Sequence, residues 1–402
     1  MRARAVNVGV IGLGCRGKGM LGDIVLQIEG VNVLWVSDLY EDRIREGAEL
    51  VEKAGQPTPH MTRDYRDILK DPAVEAVFIF SAWENHVPAA IDAMRAGKTV
   101  AMEVGGAYSV DDCWRLVRTY EETRTPFMML ENCCYGERET MVLNMVRKGL
   151  FGKVVHCKGG YRHDLREEIA FGKENRHYRL RNYLGRNGEN YPTHELGPIA
   201  KVLDINRGNR MVSLVSVSSA AMGMHEYVKE HKKDDEELLN ATFAQGDIVN
   251  TIITCAGGET ILLTLDTTLP RSYSRDFTVQ GTKGMYSEES DSVYVDGESA
   301  HEWSASATWG SAKKYEEYLS PVWKDYRENG IKGGHGGIDW LEVNAFIDAL
   351  REGKPMPIDV YDAASWMCIT PLSEASIATG AAVAIPDFTG GAWTTRERLD
   401  VL

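Results

Sequence analysis

Two kinds of chemistry-bearing residue stand out along this chain. Near its amino end, Val8 to Gly19 spell V-G-V-I-G-L-G-C-R-G-K-G. Farther on, tyrosine and histidine recur at short spacing, in Tyr161-Arg162-His163-Asp164 and in Tyr191-Pro192-Thr193-His194-Glu195-Leu196-Gly197-Pro198. Two more clusters, Trp83-Glu84-Asn85-His86-Val87-Pro88 and Met102-Glu103-Val104-Gly105-Gly106, follow or end apolar runs. Taken singly, each cluster reads equally well as a helix cap or as a self-satisfied hydrogen-bonded pair. Taken together beside a dinucleotide fold, they are the titratable set that proton transfer coupled to hydride transfer requires.

The glycines define that fold. An apolar strand (Val6, Val8, Val10, Ile11) runs into Gly12-Leu13-Gly14-Cys15-Arg16-Gly17. Gly12 makes the tight turn, Gly14 admits a pyrophosphate, and Gly17 lets helix pack on strand. The helix start then offers unpaired N–H groups to phosphate. A second strand, Val31 to Ser37, ends at Asp38. That is about 20 residues past the glycines, where an acid meets the ribose 2′-hydroxyl and repels a 2′-phosphate. NAD is therefore expected rather than NADP. An ordinary glycine turn, with Asp38 as a helix cap, is the competing reading.

The elements that must position these residues alternate regularly at first. Strands are expected at Ala73–Phe80, Thr99–Met102 and Phe127–Leu130, with helices at Glu41–Ala54, Val87–Ala96 and Val110–Glu122, the last capped by Ser109. Ser81, Glu103 and Glu131 then sit at carboxyl ends of strands, where doubly wound sheets bind ligands. A helix over Tyr135–Leu150 leads to a strand at Lys153–Tyr161. The polar stretch 162–190 shows little periodicity and reads as a long loop. Strands follow at Met211–Ser219, Ile248–Cys255, Thr260–Asp266, Asp276–Gln280 and Ser292–Val295, and an amphipathic helix at Ile338–Glu352. The expected class is α/β: a Rossmann sheet over 1–132, then an α+β domain with a mostly antiparallel sheet over 133–385, and a tail from 386 to 402.

Composition narrows the partners. The 402 residues are 43% hydrophobic and 26% charged, with a formal net charge of −14. Such acidity argues against nucleic acid. No apolar run approaches the ~20 residues of a membrane helix. The first strand begins by Val6, so no leader is expected within this numbering. The seven cysteines match no zinc or disulfide framework and read as reduced core residues in a cytoplasmic setting. No metal site is expected.

The chain resembles the Gfo/Idh/MocA superfamily of nucleotide-dependent oxidoreductases, and within it glycoside hydrolase family 109, the NAD-dependent α-N-acetylgalactosaminidases. The resemblance rests on 97–104 (GKTVAMEV), 161–166 (YRHDLR), 187–194 (NGENYPTH), 205–208 (INRG) and 335–337 (HGG). Dehydrogenases of the superfamily carry Glu-Lys-Pro where this chain has Glu103-Val104-Gly105, so the assisting lysine is replaced by Val104, which cannot titrate. Two departures from the glycosidase branch exist: Glu195 replaces the glycine of Thr-His-Gly-Leu-Gly-Pro, and Gly105-Gly106-Ala107 replaces Pro-Ala-Ala.

The resemblance implies a redox-neutral hydrolysis. Hydride passes from C3 of the sugar to NAD⁺, the ketone acidifies C2–H, a base removes that proton, and the group at C1 leaves. Water adds at C1 and the hydride returns. Tyr161, His163, Tyr191 and His194 are the implied catalytic set, with His194 and Tyr161 nearest C2 and C3 in an order the residues leave open. Glu131 and Arg179 are implied substrate contacts, although Arg179 reads equally as a surface charge. Gly12, Gly14, Arg16, Gly17, Asp38, Trp83, His86 and Glu103 are the implied NAD contacts. A small-molecule or glycan substrate and a homo-dimer or homo-tetramer are expected. A net NAD-dependent sugar or cyclitol dehydrogenase is the alternative.

Overall fold

A computed structural model describes residues 4–299 and 304–402. The chain forms two compact units, one from Met1–Tyr135, Asp325–Met367 and Leu399–Val401, the other from Gly136–Lys324, Cys368–Arg398 and Leu402.

The first unit is built on six strands: β1 (Val6–Ile11), β2 (Val31–Ser37), β3 (His60–Thr62), β4 (Ala76–Ile79), β5 (Thr99–Glu103) and β6 (Phe127–Leu130). Their spatial order is β3-β2-β1-β4-β5-β6, and every pairing is parallel. This is the doubly wound order, reversing between β1 and β4, with ligands expected at the carboxyl edge. The apolar runs explain it. Ala76, Val77, Phe78 and Ile79 are fully buried, as strands covered by helices on both faces must be. The helix Val110–Thr123 opens on the expected Ser109, whose Oγ accepts from Asp112 N–H at 3.1 Å while Asp112 Oδ2 accepts from Ser109 N–H at 3.0 Å.

The units are not contiguous in sequence. The segment Asp325–Met367, which a linear reading keeps in the second domain, packs with the first unit. Met129 N–H donates to Ile358 O at 3.1 Å, and Arg351 Nε donates to Arg4 O at 3.0 Å. Another difference is the helix Trp83–Arg95, which starts four residues before the expected Val87. The helix carries Pro88 inside it and forgoes one bond there.

The second unit holds an eight-stranded sheet: β7 (Val154–Arg162), β8 (Met211–Ser218), β9 (Ile248–Cys255), β10 (Thr260–Asp266), β11 (Thr278–Gly281), β12 (Gly284–Ser287), β13 (Ser292–Val295) and β14 (Val383–Ala384). The order is β13-β12-β11-β7-β10-β9-β8-β14. Only β7 and β10 run parallel; the other pairings are antiparallel. The stretch 162–190 is not the long loop its polarity suggested. It folds into helices Arg166–Ala170 and Arg179–Gly185, too short to show a period. The expected helix over 135–150 is present as Glu137–Arg147, preceded by a short 3₁₀ turn, Asn132–Tyr135. Among the described residues the seven cysteines form no disulfide, and six of them are buried. Among the described residues no helix is long and apolar enough to cross a membrane.

Candidate active site

In the first unit the glycine loop leaves β1 with Gly12 at φ +96°, where a Cβ would stand 2.4 Å from the Ser81 backbone nitrogen. A Cβ on Gly17 would stand 2.1 Å from the Gly12 carbonyl oxygen. Both positions exclude any side chain. Gly14 differs: its nearest neighbour would be Arg43 Nη1 at 3.6 Å, so that flank of the loop is clear for a ligand. Asp38 Oδ2 accepts from Leu13 N–H at 2.7 Å and Oδ1 from Tyr40 N–H at 3.1 Å. The carboxylate thus pins the loop and keeps lone pairs for a ribose hydroxyl. These features fit a dinucleotide.

Trp83 and His86 lie buried in the first turn of their helix. His86 Nε2 lies 2.8 Å from Ser81 O and Nδ1 lies 3.3 Å from Gly105 O. Burial holds this imidazole below its ordinary range, so a neutral ring donates through one nitrogen, and the shorter contact is the bond. His86 ties the loop after β4 to the loop after β5. The Gly105-Gly106 departure follows from this packing. Both glycines have positive φ, and a Cβ on Gly105 would meet Trp83 Nε1 at 2.6 Å.

Arg16 is held between two carboxylates. Its Nε donates to Glu103 Oε1 at 2.6 Å, and Nη1 and Nη2 donate to Asp339 at 2.8 and 3.0 Å. Asn132 Nδ2 donates to Asp339 Oδ1 at 2.7 Å, and His335 Nδ1 sits 2.6 Å from Asp339 Oδ2. These partners, with burial opposing them, hold the Asp339 carboxyl well below the usual carboxylate range. Glu131 is fully buried after β6, its Oε1 accepting from Cys133 N–H at 3.1 Å. Asp339 and His335 were absent from the sequence-derived set. Only their HGG string was visible, and nothing local links residue 339 to Arg16.

In the second unit, Tyr161 closes β7 on the same face as Gly159. The helix Thr193–Val202 lies on that face so closely that a Cβ on Gly159 would be 2.7 Å from Glu195 Cβ. The close approach brings the His194 ring 5.5 Å from the Tyr161 ring, centre to centre. Tyr191, just before the helix, packs against Tyr161 with ring centres 4.3 Å apart and planes tilted by 37°. Two phenol–imidazole pairs result: Tyr161 Oη with His163 Nδ1 at 3.3 Å, and Tyr191 Oη with His194 Nε2 at 3.4 Å. All four expected residues therefore meet.

Arg179, which the sequence left open as a surface charge, is buried. Its guanidinium stands 5.0 Å over the Tyr191 ring and pairs with Glu168 at 2.5 Å. Burial opposes its charge, and Tyr178, Tyr161 and Glu168 outweigh burial. His163 is held below its ordinary range, first by burial and then by the Arg179 cation, so it is neutral at pH 7 and accepts protons. Tyr273 was missed. It sits in the irregular segment after β10 and packs edge-on to His163 at 5.2 Å, half exposed. Glu189, also missed, is fully buried behind Tyr191, and burial pushes its carboxyl up to about 8 against the Tyr191 N–H.

Comparison with known proteins places both halves. Residues 6–130 match the family described as "Oxidoreductase family, NAD-binding Rossmann fold", and residues 135–395 match "Glycosyl hydrolase 109, C-terminal domain". The chain is 39% identical to a glycosyl hydrolase family 109 protein of Stenotrophomonas maltophilia, covering 98% of this chain and 92% of the relative. It is 38% identical to an alpha-N-acetylgalactosaminidase of Tannerella forsythia, covering 98% and 88%. Among solved structures, levoglucosan dehydrogenase in complex with NADH and levoglucosan superposes with TM-score 0.71 at 20% identity, over 95% of this chain and 100% of that one. An aldose-aldose oxidoreductase from Caulobacter crescentus gives 0.68 at 15% identity, over 95% and 100%. Those two likenesses speak to the fold.

Proposed function

Since the chain belongs to glycosyl hydrolase family 109, an NAD-dependent glycosidase type, we propose that it cleaves α-N-acetylgalactosaminides by a redox-neutral oxidation, elimination, hydration and reduction. The observation that carries the reading is the pair of phenol–imidazole couples, Tyr161–His163 and Tyr191–His194, beside a buried Arg179. An ordinary glycosidase needs two carboxylates about 5 to 9 Å apart across the scissile bond. Phenols and imidazoles are instead the groups that take a hydroxyl proton and a carbon-bound α-proton.

NAD, when bound, supplies the acceptor for the C3 hydride and its later donor. The chain's own residues do the rest. His163, neutral at pH 7, accepts from Tyr161, which in turn accepts the C3 hydroxyl proton. His194, oriented by Tyr191, removes the C2 proton. Arg179 supplies a fixed positive charge against the enolate that this creates, in a site where burial magnifies it. Gly12, Gly17 and Asp38 hold the loop that must grip the cofactor through the whole cycle. The missing lysine at Val104 argues against net oxidation of a substrate hydroxyl.

The test uses the purified enzyme without added NAD and a nitrophenyl α-N-acetylgalactosaminide. Dye release without net NADH, together with exchange of C2–H for solvent deuterium, is the expected result. Accumulation of NADH without dye release would establish the dehydrogenase alternative. The proposed assembly is a homo-oligomer on the outer face of the second unit's sheet, where Val215 and Val217 of β8 and Ile252 of β9 are exposed; Val215 and Ile252 are direct cross-strand partners.

A further inference from the structure

Glu342 lies one turn after Asp339 on the helix Ile338–Glu352. It is fully buried, and both its carboxyl oxygens lack a hydrogen-bond partner among the described residues. A buried, unpaired carboxyl is costly, and a fold that keeps one has a use for it. Its surroundings deepen the cost. The charged and titratable groups that act on it most strongly are Glu103, Asp339, Arg16 and Glu131, and Tyr135 also faces it. Three of those are carboxyls. The cation among them, Arg16, is already bound to Glu103 and to both oxygens of Asp339. Among the described residues Glu342 has no hydrogen-bonded counter-charge.

The place of this cluster in the sheet says what the counter-charge is. Asp38 follows β2, on one side of β1. A dinucleotide with one ribose there crosses the reversal point and lays its other mononucleotide over the ends of β4, β5 and β6. Glu103 ends β5, and Glu131 and Asn132 follow β6. The acidic end of the unit is therefore where the nicotinamide half belongs. That ring carries a full positive charge when oxidised and none when reduced.

We infer that Glu342, backed by Glu103 and Asp339, is a specificity-determining residue that makes the first unit select the oxidised, cationic form of the nicotinamide over the reduced one. Without the cation, burial among like charges keeps Glu342 protonated, consistent with a carboxyl held well above its usual range. With the cation beside it, ionisation is matched by an opposite charge, so the oxidised form gains affinity as Glu342 loses its proton. The reduced form gains nothing. Where a substrate-derived ketone takes the hydride back, the same bias favours that return and leaves the resident cofactor oxidised between turnovers. The inference rests on the NAD reading of this fold but not on the sugar: failure to cleave any glycoside leaves it standing.

The test equilibrates the purified holoprotein with NAD⁺/NADH mixtures of set ratio, from pH 6 to pH 9, and measures the bound ratio after rapid gel filtration. The wild type is expected to enrich NAD⁺, increasingly with pH. Glu342→Gln is expected to lose about tenfold of that enrichment at pH 8, the effect of one pK unit, and to lose the slope while NADH affinity is unchanged. Glu342→Asp should keep the slope. His335 also faces Asp339 and Arg16, so His335→Asn must keep it too. A wild-type ratio that does not change with pH overturns the inference whatever the variants do. So does a Glu342→Gln protein with the wild-type ratio and slope.

Discussion

The position of His194 depends on the absence of a side chain at Gly159, and one substitution with its suppressor tests this. In Gly159→Ala, the added Cβ would stand 2.7 Å from Glu195 Cβ and 3.2 Å from Ile199 Cδ1. Carbon atoms prefer at least about 3.5 Å. Ile199 can turn its terminal methyl away. Glu195 Cβ is fixed to the helix backbone and cannot, so the helix Thr193–Val202 must move by about 0.8 Å, carrying His194 with it. Overpacking of this kind costs roughly 1–3 kcal/mol of stability. A displacement near 1 Å of a catalytic group costs on the order of 100-fold in rate. Gly159→Ala should therefore fold, melt somewhat lower and lose about 100-fold in kcat. Glu195→Gly removes the obstructing atom. Measured against Glu195→Gly alone, the double variant should regain most of the lost kcat, whereas Gly159→Ala with Glu195→Ala, which keeps the Cβ, should not. Steady-state hydrolysis and thermal melting of the five proteins form the assay. A fully active Gly159→Ala, or a double variant with glycine at 195 no better than the one with alanine, would refute the geometric argument.

Tyr161→Phe and His194→Asn should each lower kcat by roughly 10²–10⁴-fold, and only the residue that serves C2 should abolish deuterium exchange there. Because His163 is held below its ordinary range by burial and by Arg179, the acid limb of the pH–rate profile should lie below about pH 6.5. Arg179→Met removes a cation that opposes protonation, so that limb should move up, while Arg179→Lys should leave it in place; a downward shift would contradict the assignment. Asp339 is depressed in the folded protein, so its contribution to stability is present above the ordinary carboxylate range and is lost as pH falls below it. Asp339→Asn should cost about 3–5 kcal/mol at neutral pH, a loss that shrinks in denaturation measured near pH 3. Val217→Lys on the exposed sheet face should shift sedimentation to a smaller species if that face joins two copies.

What was legible in the sequence was local. The glycine run 12–17 and Asp38 declare a dinucleotide loop because turn, close approach and ribose contact each demand one residue type at one spacing. The apolar runs of β1, β4, β5 and β6 declare a parallel sheet, because strands covered on both faces do not alternate, whereas the short edge strand β3, His60–Thr62, carries no such run and was not expected. The strings Tyr161–His163 and Tyr191–His194 named the proton-transfer groups through their resemblance to a known family. The stretch 162–190 was less legible, since its two helices are only 5 and 7 residues long and polar where they face solvent.

Tertiary structure decided the rest, because it turned on contacts between residues far apart in the chain. Arg179 could be surface or core by sequence, and only packing over Tyr191 makes it the site's buried cation. Tyr273 has no pattern around it, yet the segment after β10 delivers it to His163. Asp339 and Glu342 sit on a helix that the sequence marks only as amphipathic, and its return to the first unit sets them beside Arg16. Side-chain chemistry and strand periodicity are written residue by residue. The distances at which that chemistry operates come from how sheet, helix and returning segment pack, and bare glycines such as Gly159 are where the chain spells out such a distance itself.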